Sequence, residues 1–229
     1  MALILALETA TKLCSVAVGR DGVCIATRDL LSEKLSHAER VNLFIAEVMQ
    51  EGDLALSDID AVAVGIGPGS YTGLRIGLSA AKGLCYALDR PIIGIPTLAT
   101  LVQAARNTHG PFTAEPWPMI DARRMEVFTQ AFTSTGGPIG AVSPLVLDTS
   151  FTGVEVTRLV FGDGADKASE LWSGATNVDH LPGVVPSARH MLPLAEERFR
   201  SARFDDLAYL IPDYGKEANV TQPRKHGAG

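Results

Sequence analysis

A glycine-rich segment in the first half of the chain is the strongest local signal for chemistry. Residues 67–75 read GPGSYTGLR and follow a short apolar run. Glycines allow the backbone to turn sharply after a strand, and Ser70 or Thr72 can cap the helix that follows. The amides of that first helical turn would suit an anion. The alternative is a tight strand-to-helix turn without a ligand. No Lys-Ser/Thr pair follows, so the segment is not a phosphate-binding P-loop.

Two acidic residues end apolar runs at corresponding places in the two halves of the chain. Glu8 ends the run at 3–8, and Asp121 ends the run at 118–121. Two such acids could face each other across a cleft and hold a hydrated Mg²⁺. We favour two solvated strand ends, because neither acid is followed by a glycine-rich phosphate loop. The segment GDGA at 162–165 could approach a nucleotide closely, but it is also an ordinary turn.

The histidines and cysteines do not indicate a metal site. His37 has Val41 at position i+4, so no second ligand lies one helical turn away. Cys14, Cys24 and Cys85 are an odd number without metal-like spacing, which predicts neither a disulfide framework nor a zinc site. The cysteine pattern is typical of a reduced, cytoplasmic protein. We expect no metal, no cofactor and no catalytic Ser/His/Asp or Cys/His set.

The composition is that of a globular α/β protein. The chain has 229 residues, of which 46% are hydrophobic and 20% are charged, with a formal net charge of −6. This length allows one large or two small domains with a sizeable core. The acidic balance argues against stand-alone nucleic-acid binding, which needs clustered Lys and Arg. No apolar run approaches the roughly 20 residues that span a bilayer. The first apolar run lacks a preceding basic region, which predicts a buried strand rather than a signal peptide.

The first half, residues 1–106, has the pattern of a mixed five-stranded sheet covered by helices. Three antiparallel strands open it, and Asp21-Gly22 is a hairpin signal between two of them. Ser36 and Pro96 mark the starts of two helices. Two further parallel strands complete the mixed sheet. The predicted strands are 3–8, 14–18, 23–28, 59–64 and 91–95, and the predicted helices are 37–51, 70–88 and 97–106.

The second half, residues 107–229, starts in the same way. The segment NTHGP at 107–111 breaks the pattern and is the predicted boundary between two domains. A strand, a turn and a returning strand then repeat the opening of the chain, which indicates a weak internal repeat. The predicted elements are strands 118–121, 127–133, 142–147 and 159–161, helices 162–172 and 186–203, and a polar tail at 216–229.

The helix predicted over 70–88 is apolar on two opposite faces. One face should pack on the sheet, and the other should be polar if the helix lay on the surface. Either later helices of the chain or a partner protein must cover this second face, and we favour a partner. Leu43, on the helix over 37–51, extends this second apolar face. We call the set the small-residue stripe, and its members are Leu43, Ile76, Ala80, Gly83 and Ala87.

Seven segments, among them GPGSYTGLRIG at 67–77 and ILALETA at 4–10, resemble those of one family. This is the TsaB family, also called YeaZ, of bacterial proteins in tRNA threonylcarbamoyladenosine synthesis. The specific match is GPGSYTGLRIG at 67–77, and the matches are strongest in residues 1–125. The other matching segments are ILALETA at 4–10, SHAER at 36–40, AAKG at 80–83, GIPTL at 94–98, MIDAR at 119–123 and GDGA at 162–165.

The resemblance implies an actin/Hsp70-like fold of two RNase H-like halves, with the second reduced. It also implies a role without catalysis. The related catalytic protein TsaD carries a His-x-x-x-His metal pair just after the strand equivalent to 91–95. Thr97 and Leu101 stand at those two positions here, and neither replaces a metal-binding imidazole well.

By the same resemblance, the protein pairs with TsaD, and TsaE joins them. The assembly transfers a threonylcarbamoyl group to the adenosine next to the anticodon of tRNAs that read ANN codons. We expect contact with tRNA only through this complex, no contact with membranes, and a homodimer through the small-residue stripe when the protein is alone.

Two rival functions are an actin-like ATPase that uses Glu8, Asp121 and residues 162–165, and a metallopeptidase-like protein. The missing histidine pair speaks against the peptidase. The lack of a glycine-rich phosphate loop after either acid speaks against the ATPase. Glu8 stands where the family commonly has Asp, which weakens any claim of Mg²⁺ binding there.

Overall fold

The first half of the chain forms a mixed sheet of five strands. The computed structural model describes residues 2–32, 37–153 and 155–215. The strands are β1 (Leu3–Glu8), β2 (Leu13–Arg20), β3 (Val23–Leu31), β4 (Ala61–Gly67) and β5 (Ile92–Pro96). They lie in the order β3-β2-β1-β4-β5, with β1 to β3 antiparallel and β4 and β5 parallel to β1. This confirms the mixed sheet predicted from the sequence.

Three helices accompany this first sheet, namely α1 (His37–Glu51), α2 (Tyr71–Leu88) and α3 (Thr97–His109). The predicted cap of α2 is confirmed, because Ser70 Oγ accepts a hydrogen bond from the Gly73 amide at 3.2 Å. The predicted cap of α1 at Ser36 and the tail at 216–229 lie outside the described residues. Both α1 and α2 pack on one face of the sheet, against alternate residues of β1 and β4 such as Leu5 and Val64.

The second half repeats this sheet topology. Its strands are β6 (Glu115–Asp121), β7 (Glu126–Phe132), β8 (Pro138–Val146), β9 (Arg158–Phe161) and β10 (Val178–Leu181). Their order is β10-β9-β6-β7-β8, so β6 takes the place of β1 and β9 that of β4. The weak internal repeat in the sequence is therefore a repeat of the whole sheet.

The reduction of the second half lies in its helices, since both sheets have five strands. The helices between its strands are α4 (Thr149–Thr152), α5 (Asp163–Asp166) and α6 (Ser169–Trp172), each four residues long. They stand where the first half has α1 and α2, of 15 and 18 residues. Two sequence predictions are wrong here. The helix predicted over 162–172 is two short helices, and β10 was not predicted at all.

The last helix of each half packs on the sheet of the other half. Apolar residues of α3, including Leu101 and Ala105, pack against Ile120, Phe128 and Phe161 of the second sheet. The last helix, α7 (Leu192–Arg200), lies with the short 3₁₀ turn Ala188–His190 on the face of the first sheet opposite α1 and α2. We call it the inner face.

This exchange differs from the assignment made from the sequence. That assignment put the end of α3 at residue 106 and residues 186–203 in the second half as one continuous helix. The first sheet has an inner face of small and apolar residues, Ile4, Ala63 and Ile93 among them, which α7 and the 3₁₀ turn Ala188–His190 cover. The need to bury this face brings the chain back across the molecule.

Candidate functional site

The turn after β1 is the point where the first sheet, α1 and α2 meet. Thr9 Oγ1 donates a hydrogen bond to the Gly73 carbonyl oxygen at 2.8 Å. The Ala10 carbonyl oxygen accepts from the Ser70 amide at 2.7 Å. Thr9 and Ala10 are buried. The turn therefore lies directly against the first turn of α2, backbone to backbone.

Four glycines make this approach possible, and we call Gly65, Gly69, Gly73 and Gly77 the glycine seat. A Cβ atom at any of them would come within 3.0 Å of residues 8–10, closer than real Cβ atoms approach other atoms. At Gly73 the obstacle would be the Thr9 carbonyl oxygen. The spacing of four residues is visible in the sequence, where Gly69 and Gly73 lie in the segment interpreted as a turn or an anion site. They hold a segment of the protein itself.

Two of the amides that the sequence offered as donors to an anion form hydrogen bonds within the protein instead. The Ser70 amide bonds to Ala10, and the Gly73 amide bonds to the Ser70 side chain. The structure thus favours the alternative, a tight strand-to-helix turn, and the amides at this helix start serve to join elements.

His37 closes the junction on the side of α1. Its Nε2 lies 2.9 Å from the Thr11 carbonyl oxygen, and its side chain is buried. Burial lowers the pKa of His37, which favours the neutral imidazole. Its ring also lies beside Gly73 of α2. His37 thus joins α1 to the turn after β1.

Glu8 is buried, contrary to the expectation of a solvated strand end. Its exposed fraction is 0%. Its Oε1 accepts a hydrogen bond from the Ala10 amide at 2.8 Å, and Oε2 has no hydrogen-bond partner among the described residues. Burial raises the pKa of Glu8 to about 7, although the Ala10 amide and the nearby Thr97 hydroxyl act in the opposite direction. The Thr97 contact falls short of ordinary hydrogen-bond geometry. Glu8 thus belongs to the protein interior.

Asp121 is the exposed counterpart of Glu8, as expected. It forms an ion pair with Lys167, and its amide donates to Asp163 Oδ1 at 3.0 Å. Burial raises the pKa of Asp163. A cleft of about 490 Å³ between the two halves is lined by Asp121, Asp163 and the start of α2, but Glu8 is not among its lining residues. The structure does not bring the two strand-end acids together as a magnesium site.

The other candidate segments are packed within the fold. In GDGA, a Cβ at Gly162 or Gly164 would collide with β6 at Met119 or Ile120, which makes this turn the counterpart of the glycine seat. Within residues 2–32, 37–153 and 155–215, no three His, Cys, Asp or Glu side chains form a group that could hold a metal ion. No helix in that part of the chain is long and apolar enough to cross a membrane.

The small-residue stripe lies on the outer side of α1 and α2. Leu43, Gly83 and Ala87 are exposed, and Ile76 and Ala80 are half-buried. The space around Gly83 is open, with no atom within 4 Å of where its Cβ would be. Among the described residues, no later helix covers the stripe, because α7 packs on the opposite face of the sheet.

A groove of about 580 Å³ runs between α1 and α2. From α2, Ile76, Ser79 and Ala80 line it, and from α1, Ala38 and Asn42 do. Leu43 is exposed but is not among the residues that line this groove. Tyr71 and Arg75 line the groove at the start of α2. Around Ser79 and Ala80 the lining side chains are short, so a helix of another protein could approach closely there.

The sequence similarity covers almost the whole chain. It is 30% identical over 221 residues to the tRNA threonylcarbamoyladenosine biosynthesis protein TsaB of Escherichia coli, covering 92% of this chain and 93% of that protein. The chain belongs to the TsaB family. The family described as "TsaD: tRNA N6-adenosine threonylcarbamoyltransferase" also matches, over residues 32–149. This TsaB-family chain therefore shares its central elements, from α1 to β8, with a transferase family.

Solved structures agree with the assignment. A Pseudomonas aeruginosa protein described as similar to peptidase YEAZ aligns with this TsaB-family chain at a TM-score of 0.80 and 28% identity, covering 94% of this chain and 100% of the other. An Arthrobacter polyphosphate/ATP-glucomannokinase aligns at a TM-score of 0.52 with 13% identity, covering 88% of this chain and 100% of the other. The second likeness shows the fold alone, which is the actin-like architecture that the family resemblance implies.

Replacement of Glu8 by Gln should remove a pH dependence of folding stability. The folded-state pKa of Glu8 is raised from 4.5 to about 7. Its contribution to stability is full below pH 4.5 and is lost as the pH rises to 7, because the buried carboxyl must then ionise. The neutral amide can still accept from Ala10. Relative to the parent protein, Glu8→Gln should gain about 3 kcal/mol in the free energy of unfolding between pH 4.5 and pH 8.

Urea denaturation of both proteins at pH 4.5 and pH 8 measures this difference. Glu170→Gln, at an exposed position, is the control and should leave the difference unchanged. An equal stability offset between Glu8→Gln and the parent at both pH values would contradict the burial of an ionisable Glu8.

Alanine at two glycines of α2 should have opposite effects. Gly73→Ala puts a Cβ against the Thr9 carbonyl oxygen and should lower the free energy of unfolding by roughly 1–3 kcal/mol. Gly83→Ala meets open space within a helix and should raise it by roughly 0.5–1 kcal/mol. Urea denaturation of both variants is the measurement. Equal effects would show that the turn after β1 does not rest on α2.

Proposed function

We propose that this chain is a non-catalytic subunit in threonylcarbamoyladenosine modification of tRNA, and that it binds a TsaD subunit through α1 and α2. The observation that carries the proposal is the uncovered small-residue stripe. Its exposure on a chain of the TsaB family, whose relatives bear the name of this biosynthesis, supports a binding role for the two helices. Two helices from each protein would form an intermolecular four-helix bundle.

The residues at the expected metal positions support the absence of catalysis. By the resemblance to TsaD, Thr97 and Leu101 occupy the places of two metal-binding histidines. Both are buried at the start of α3, and Leu101 packs in the core of the second half. A hydroxyl and an aliphatic side chain do not take the place of imidazole ligands. The transfer chemistry accordingly belongs to the TsaD subunit.

The remaining partners follow from the resemblance. TsaE joins the pair, and tRNA is contacted through the assembled complex, since this chain carries a net charge of −6. The complex works in the cytoplasm. When TsaD is absent, a second copy of the chain covers the same stripe, because the apolar surface is then exposed to water.

The rival functions gain no support from the site. An ATPase built on the strand-end acids would need Glu8 in the cleft, and Glu8 is fully buried outside it. A metallopeptidase would need a cluster of metal-binding side chains, and the described part of the chain has no group of three.

Gly83→Arg should block binding to TsaD without unfolding the chain. An arginine in an apolar interface leaves a buried charge without a partner, which costs roughly 3–5 kcal/mol and lowers affinity about a thousandfold. Ala80→Glu should act in the same way. Calorimetric titration with TsaD from the same organism measures the affinity, and sedimentation of the free variant measures its self-association.

Gly174→Arg is the matched control. Its Cβ position is also open, and it lies at an exposed turn of the second half, far along the chain from α1 and α2. Circular dichroism checks the fold of both variants. A folded Gly83→Arg variant that binds TsaD as tightly as the parent would place the interface elsewhere.

The purified chain alone should transfer no threonylcarbamoyl group to tRNA, because Thr97 and Leu101 provide no metal ligands. It should also give no sub-micromolar gel shift with tRNA in moderate salt. With an activated threonylcarbamoyl donor supplied in every reaction, adding TsaD and TsaE should give modification, which is measured by nucleoside analysis of the tRNA. Transfer by the chain in a preparation free of TsaD would show that it is itself an enzyme.

A further inference from the structure

Residues 204–215 run along the edge of the first sheet after α7, and we call them the C-terminal strap. The strap is held at both ends by backbone hydrogen bonds. The Asp205 amide donates to the Ile92 carbonyl oxygen at 3.0 Å, and the Asp213 amide donates to the Ile66 carbonyl oxygen at 2.7 Å. The strap is therefore a fixed part of the first half.

The strap also follows α2 in the antiparallel direction. Lys82 Nζ donates to the Ala208 carbonyl oxygen at 3.1 Å, and the rings of Tyr71 and Tyr214 are 4.8 Å apart between centroids. These two contacts are eleven residues apart on α2, which is about 16 Å of helix. The strap thus forms a ridge beside α2, while α1 forms the ridge on its other side.

The side chains of the strap divide between the core and the solvent. Leu207 and Leu210 pack against the core beneath α1 and α2. Tyr209 is 82% exposed and Ile211 is 73% exposed. Tyrosine is among the residues that dominate the energy of protein interfaces. A rigid ridge that presents a tyrosine and an isoleucine to solvent is typical of an interaction surface.

The size of the exposed surface of α1 and α2 indicates that the partner surface extends beyond these two helices to the strap. Nine of the 15 residues of α1 and twelve of the 18 residues of α2 are not buried. A stable interface uses about 20–30 residues on each side. The exposed residues of two parallel-packed helices point in several directions, so one partner cannot contact all of them. The two helices alone fall short of this size, and the strap is the adjoining surface on the α2 side.

We propose that the strap is part of the partner surface, and that Tyr209 and Ile211 contact the same TsaD subunit that packs on α1 and α2. This inference rests on the proposed function. It adds a specific prediction, because the strap lies outside the small-residue stripe and comes from a part of the chain that the sequence assigned to the other half.

The test is the affinity for TsaD of the double variant Tyr209→Ser/Ile211→Ser, measured by calorimetric titration. We expect at least a tenfold loss of affinity. Val23→Ser is the matched control, because Val23 is 70% exposed on β3, at the opposite edge of the same sheet. It should bind like the parent. Circular dichroism and a thermal melt compare the folds.

A second measurement needs no variant. Amide hydrogen exchange of the parent protein should slow in residues 204–215 when TsaD binds, and should stay unchanged in β3. Unchanged exchange in the strap, or full affinity of the folded double variant, overturns the inference. If Gly83→Arg then still abolishes binding, the proposed function stands without the strap. If the parent does not bind TsaD, both proposals fall.

Discussion

The contact between the turn after β1 and the backbone of α2 is the joint on which the first half depends. The carbonyl oxygens of Ala10 and Thr9 lie so close to Gly69 and Gly73 that a side chain at either glycine would collide with them, so backbone lies against backbone there. His37 ties α1 to the same turn through Thr11. The two helices that carry the small-residue stripe are therefore mounted on one rigid junction. A surface fixed in this way loses little conformational entropy when a partner binds.

The exchange of the last helices decides which apolar surfaces stay free. Each sheet has two apolar faces, but the second half has only four-residue helices between its strands. One face of the second sheet is covered by α3, and the inner face of the first sheet is covered by α7. Within the described residues no helix remains to cover the outer side of α1 and α2. The strap passes beside that surface on its way from α7 and leaves it exposed.

The seat also explains the burial of Glu8. Glu8 is the last residue of β1. Here the Thr9–Ala10 turn folds over α2, and the Glu8 carboxyl comes to rest against Gly65 in the interior. Its counterpart Asp121 is not covered in this way, and its carboxylate pairs with Lys167 at the surface. Two acids at equivalent places in a repeat thus have different environments, because only one repeat has a long helix beside them.

The sequence by itself determined the local elements, since hydrophobic periodicity and capping residues act over short distances. It predicted the bounds of α1, the cap of α2 at Ser70, the mixed first sheet and the exposure of Gly83 and Ala87. The resemblance added the family and the actin-like fold. Only the tertiary structure decided that Glu8 is buried, that α7 crosses to the first sheet and that the strap lies along α2. Periodicity shows which face of an element is apolar, but the element that covers that face is chosen by packing between segments far apart in the chain.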